Sequence, residues 1–191
     1  MSKPLRHRGL TLGLLAIPLL LGACGESRSS ASNTRPGGTI RGCGLEIRLP
    51  SGWEGVIYQL SPKDAITLQS TTVRLTPPGR DVAYIARQMQ AGDAYIAIQD
   101  IGPPPPGLGN DPAWDVRPAL PLKVSSDDVA GPYEGGFESG ANLNAVLAKR
   151  AISVRVRFAV APKADDLERI NRVLSSLSVS SSVGKCSFDL T

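Results

Sequence analysis

Between Ile152 and Val160 the chain alternates without interruption. Ile152, Val154, Val156, Phe158 and Val160 are apolar, and Ser153, Arg155, Arg157 and Ala159 fall between them. A period of two sends successive side chains to opposite sides, so this segment belongs to a sheet with one face buried and the other carrying arginines. The same parity holds Leu45, Ile47 and Leu49 against Glu46 and Arg48, and it resumes at Val56, Tyr58 and Leu60 after the turn Pro50-Ser51-Gly52. Ile66 and Leu68 share one parity while Val73 and Leu75 take the other, which requires a break near residues 70–72. Residues 94–101 (AYIAIQDI) are apolar on both faces, as a central strand must be. Residues 142–149 (NLNAVLAK) fit a helix through Leu143, Val146 and Leu147, or a strand through Leu143, Ala145 and Leu147. The strand is preferred, because it forms a hairpin with the 152–160 segment around Lys149-Arg150.

Two helices are expected. Val82, Ile85, Ala86 and Met89 recur at helical spacing between Asp81, a natural N-cap, and Gly92, a natural stop. Leu167, Ile170, Leu174 and Leu177 make a second stripe, with acids Asp165 and Asp166 at its start and the pairs Asp165/Arg169 and Glu168/Arg172 along it. Between the central strand and residue 118 lies Gly102, four prolines and Gly107, a run without N–H donors that cannot enter a sheet interior; it reads as a long exposed loop carrying Trp114. Strands, a helix, more strands and a closing helix predict an α+β fold: a twisted antiparallel sheet with two helices packed on one face.

The chain's first 23 residues differ from the rest. Of its 21 Lys plus Arg, Lys3, Arg6 and Arg8 stand there without an acid; the remaining 168 residues hold 18 basic and 17 acidic side chains. That balance lacks the concentrated positive surplus of a nucleic-acid-binding surface, so no nucleic-acid partner is expected. Residues 9–21 (GLTLGLLAIPLLL) are apolar and uncharged, in the order of a secretory signal and too short for the roughly 20 residues of a membrane span. Leu21-Gly22-Ala23-Cys24 follows directly, and this tetrapeptide resembles the lipobox of bacterial lipoproteins. The resemblance implies that the Cys24 thiol is joined to diacylglycerol and that cleavage occurs just before it. Two or three acyl chains then hold the protein stably on a membrane, where one would hold only marginally. Residues 25–42 are polar, rich in Ser and Gly, and aperiodic. They read as a tether whose root-mean-square span is about 23 Å. The expected organisation is a lipoprotein signal peptide at 1–23, the lipidated Cys24 and tether at 24–42, and one α+β domain at 43–191.

With Cys24 lipidated, Cys43 and Cys186 remain, one near each end of the domain, and a secreted domain with two cysteines predicts a disulfide. Closing a loop of about 140 residues adds about 5 kcal/mol on the chain-entropy account. A redox pair ordinarily keeps its thiols close, as in CxxC, which these are not. His7, the chain's one histidine, lies in the signal, so a mature domain has none. That removes Ser-His-Asp and Cys-His catalysis and histidine-based zinc or haem sites. Asp127-Asp128 and Asp165-Asp166 are adjacent carboxylates explained by a turn and a helix start, whereas acid/base hydrolysis needs carboxyls facing each other across a substrate.

The patterns LPSGWEG (49–55), AYIAIQDIG (94–102) and VRVRF through DDLERINRVLSSLSV (154–179) resemble secreted bacterial α+β domains and are loosely similar to the PsbP-like fold. No catalytic residue, metal or cofactor comes with that likeness. Function is therefore expected to be a lipid-anchored, extracytoplasmic, non-catalytic binding or accessory module that meets the membrane through its lipid and an envelope polymer or protein through its surface. A carboxylate-based cell-wall hydrolase and an extracytoplasmic thiol/disulfide protein are the alternatives. Trp114, Arg155 and Arg157 are the candidate ligand contacts, with Arg48 expected on the same polar face.

Overall fold

The computed structural model describes residues 37–75, 82–108 and 120–183, together with the backbone of residues 116–117. The fold is α+β, with helices α1 (Val82–Gln88) and α2 (Ala164–Ser175) and two sheets. The large sheet runs β3 (Glu54–Tyr58), β4 (Ile66–Thr71), β5 (Ala94–Gly102), β8 (Arg150–Phe158) and β7 (Ser139–Leu147), all antiparallel. Outside β7 lies the two-residue β6 (Val116–Arg117), which pairs with it in parallel. The small sheet holds β1 (Gly38–Gly42), β2 (Leu45–Leu49) and the short β9 (Ser178–Val179).

The ambiguous 142–149 segment is strand, and its hairpin turn is Ala148-Lys149 rather than Lys149-Arg150: Leu147 pairs with Arg150. Ala148 and Lys149 both take positive φ, 49° and 64°, as a two-residue turn between twisted strands requires. The chain leaves β4 at Thr71, where the change of parity demands a break. Val73 and Leu75 then pack on the opposite face from Ile66 and Leu68.

One hydrophobic cluster joins the two sheets and α2. Ile66, Leu68, Ile96, Ile98, Val154 and Val156 of the large sheet meet Ile40, Leu45, Ile47 and Leu49 of the small one and Ile170, Val173 and Leu174 of α2. Each such side chain, fully buried, contributes about 1.5–3 kcal/mol. Trp53 is buried in the same cluster. The small sheet approaches so closely that Gly55 has no room for a Cβ, which would collide with the Ile40 and Leu49 methyls.

Helix placement departs from expectation. Ile85 of α1 and Met89, the residue after it, cluster with Tyr95, Ala97 and Phe137, on the face of β5 opposite to Ala94, Ile96 and Ile98. The helices therefore cover different faces, because β5 is apolar on both and each face needs a cover. The tether also ends earlier than expected: residues 38–42 form β1 against β2, on the strength of the single apolar anchor Ile40. Arg169 pairs with Asp166 at 2.9 Å rather than with Asp165, since the Asp166 carboxylate also accepts the Lys163 N–H at the helix start. Arg172 pairs with Glu168 as its spacing predicts.

Candidate binding face

The large sheet's register arranges the α1-covered face into rows that cross five strands. The first contains Glu54, Thr71, Tyr95, Arg157 and Gly140; the second Val56, Gln69, Ala97, Arg155 and Asn142; the third Tyr58, Thr67, Gln99, Ser153 and Asn144. Apolar cover concentrates on the first row, where α1 packs and Tyr95 stacks on Phe137 with ring centroids 5.9 Å apart. Burial pushes the Tyr95 phenol above its usual range, and nearby Tyr58 adds to the shift.

Arg157 is not an exposed contact. Its guanidinium is buried, 3.9 Å from the centre of the Tyr133 ring, and donates to the carbonyls of Val156 (2.8 Å) and Ala141 (3.2 Å) and to Asn142 Oδ1 (2.9 Å). Burial lowers its pKa, yet an arginine keeps its charge. Gly140 makes this posture available: it sits opposite Arg157 in the register, and a Cβ there would lie 3.0 Å from the Arg157 Cδ and Nη1. Period-two reasoning gave the right face for Arg157 but could not see that a missing side chain across the ladder lets it fold back.

Arg155, two residues earlier on the same face, is exposed, and it makes no hydrogen bond or ion pair with a described residue. Its cross-strand neighbour Asn142 is exposed too. Arg48 belongs to β2 in the small sheet, so it does not join them. Trp114, Cys24 and Cys186 lie outside the described residues.

A second polar constellation escaped sequence reasoning. At the far end of the large sheet the buried Arg150 ion-pairs through Nη2 with buried Asp100. It also donates to the Ser180 carbonyl (3.0 Å) and the Cys43 carbonyl (3.1 Å), while Asp100 accepts the Gly102 N–H (2.9 Å). One guanidinium thus bolts β5 and β8 to the β1–β2 hairpin and the segment after β9. The signal available was a lone carboxylate in the apolar run 94–101. Cys43, at that hairpin, is disulfide-bonded.

Three further carboxylates hold turns and caps. Glu54 accepts the Leu75 N–H (2.9 Å), Asp93 accepts the Thr72 hydroxyl (2.7 Å) and the Gln90 N–H (2.8 Å), and Asp128 accepts the Ser125 N–H (2.7 Å). A shallow concavity of about 250 Å³ beside the hairpin is lined by Gly42, Cys43, Gly44, Leu45 and the mutually paired Arg41 and Glu46. Among the described residues no group of three or more His, Cys, Asp or Glu is positioned to hold a metal ion, and no helix is long and apolar enough to cross a membrane. Compared with known families, curated proteins and solved structures, the chain matches none.

Proposed function

We propose that the protein is a bacterial lipoprotein, anchored outside the cytoplasm through Cys24, whose domain acts as a non-catalytic binding or accessory module for a component of the envelope. The observation that carries this reading is the register of Leu21-Gly22-Ala23-Cys24 behind a basic segment and a 13-residue apolar run. Only a thiol at that point accepts the lipid, and the small residues before it give the peptidase access to the backbone. The state of Cys43 supports the reading. The chain has two other cysteines, and Ser182 O would lie only 2.8 Å from a Cβ on Gly44, so the polypeptide heading for Cys186 already runs beside the Cys43 hairpin. Pairing of Cys43 with Cys186 leaves Cys24 for the lipid.

The binding part of the reading is supported by the exposed Arg155 and Asn142, by the partly exposed Gln99, Ser153 and Asn144 in the next row, and by carboxylates engaged in caps, turns and ion pairs. Metabolic labelling with a palmitate analogue, followed by flotation of membranes, tests the anchor. The native chain is expected to take label and float, and Cys24→Ser to take none and run at the mobility of the uncleaved precursor. Flotation and native mobility retained by Cys24→Ser would overturn the anchor.

A further inference from the structure

The orientation of one amide on the α1-covered face carries a further conclusion, which rests on the binding-module reading and names its ligand. Arg157 has donors only, so the atom of Asn142 that it bonds at 2.9 Å is the carbonyl oxygen Oδ1. The acceptor of Asn142 is thereby engaged, and its NH2 group is the part left to meet a ligand. Directly across the ladder stands the exposed Arg155 guanidinium, another group with donors and no acceptor. Facing side chains in such a pair have Cβ atoms about 4.5–5.5 Å apart, within the reach of one carboxylate. The buried Arg157 behind them adds positive charge, and the two open rows hold no carboxylate.

The neighbouring row has a different chemistry. Gln99, Ser153 and Asn144 lie side by side, partly exposed, and their side chains make no hydrogen bond to a described residue. Each offers both donor and acceptor capacity without charge, which matches hydroxyl groups. A chain of acidic sugars presents hydroxyls, each able to donate and accept, beside each carboxylate, and so meets both rows at once.

We propose that Asn142 and Arg155 bind the carboxylate of an acidic polysaccharide whose hydroxyls lie along Gln99, Ser153 and Asn144. Arg157 is a positioning residue, holding the Asn142 amide with its NH2 group outward.

The test is calorimetric titration of the full chain in detergent micelles with oligogalacturonate, its methyl ester, an oligoglutamate peptide and phosphatidylglycerol vesicles. Oligogalacturonate is expected to bind, with the ester, the peptide and the vesicles weaker by about tenfold or more. Asn142→Asp keeps the acceptor for Arg157 but replaces the donors with a repelling oxygen. It is expected to lose about tenfold or more in affinity at a thermal midpoint no lower than that of the native chain, and Arg155→Gln to lose as much at an unchanged midpoint. Equal binding of acid and ester, equal binding of peptide or vesicles, or native affinity in both variants would overturn the proposal. Retention on isolated envelope separates the two levels. Native-like retention of both variants overturns this site alone, whereas no retention of the native chain overturns the module reading beneath it.

Discussion

Asp100 and Arg150 show how much can depend on a single buried charge pair. Taking either partner away strands the other in a low-dielectric interior, which costs about 3–5 kcal/mol. Arg150→Met is therefore expected to lower the free energy of unfolding by that amount, read from the midpoint of urea denaturation. Asp100→Leu combined with Arg150→Met is expected to recover part of it, because no charge is then left unpaired. Tyr95 is the second residue with a measurable signature. Its folded-state pKa is raised above the unfolded phenol value of about 10. The stabilisation this linkage gives is complete below that pH and is lost as pH rises from there toward the folded pKa. Between pH 9 and 11.5 the thermal midpoint of the native chain is expected to fall more steeply than that of Tyr95→Phe, which keeps the ring on Phe137 and has no proton to lose. Both residues stood in the open in the apolar run 94–101. A carboxylate and a phenol there announce a need for company, but periodicity does not name the partner, since Arg150 reads equally well as part of a turn.

At the scale of elements, the strands were legible and the connections were not. Alternation at 45–49 and 152–158 gave the pairing face directly, and the parity change after Leu68 located the end of β4. The position of α1 was not legible, because a helical stripe records that one side is buried without recording which face of a sheet it meets. The clue was β5, apolar on both sides, which needs two covers. The β7–β8 turn was displaced by one residue because neither Ala148 nor Lys149 advertises positive φ. Both hold a backbone region that costs an L-residue about 1–2 kcal/mol. Replacing Ala148-Lys149 with Asn-Gly, the preferred pair for such turns, is expected to stabilise the protein by about 1 kcal/mol, seen as a higher urea midpoint with an unchanged slope. Gly55→Ala acts in the opposite direction. Its Cβ overfills the contact between the two sheets and is expected to cost about 1–3 kcal/mol by the same measurement.

For the whole molecule, the small sheet, α2 and the large sheet share one core, and the Arg150 cluster and the Cys43 hairpin lie together at one end of it. Peptide mapping of the unreduced protein is expected to link Cys43 to Cys186. A link from Cys43 to Cys24 would break that assignment and the lipid anchor together, because the same sulfur cannot do both. The way the chain enters matters for orientation. The Gly37 N–H bonds the Trp53 carbonyl at 2.8 Å, beside the row that contains Glu54 and Tyr95, whereas the Ala148-Lys149 turn and the prolines after Gly102 cap the opposite end. Nine-residue strands separate those ends by about 30 Å. On the anchored reading proposed above, a mooring at Cys24 would take hold at the Gly37 end, so the proline-rich tip would ride at the far end of the globule and the Asn142–Arg155 pair amidships on its flank.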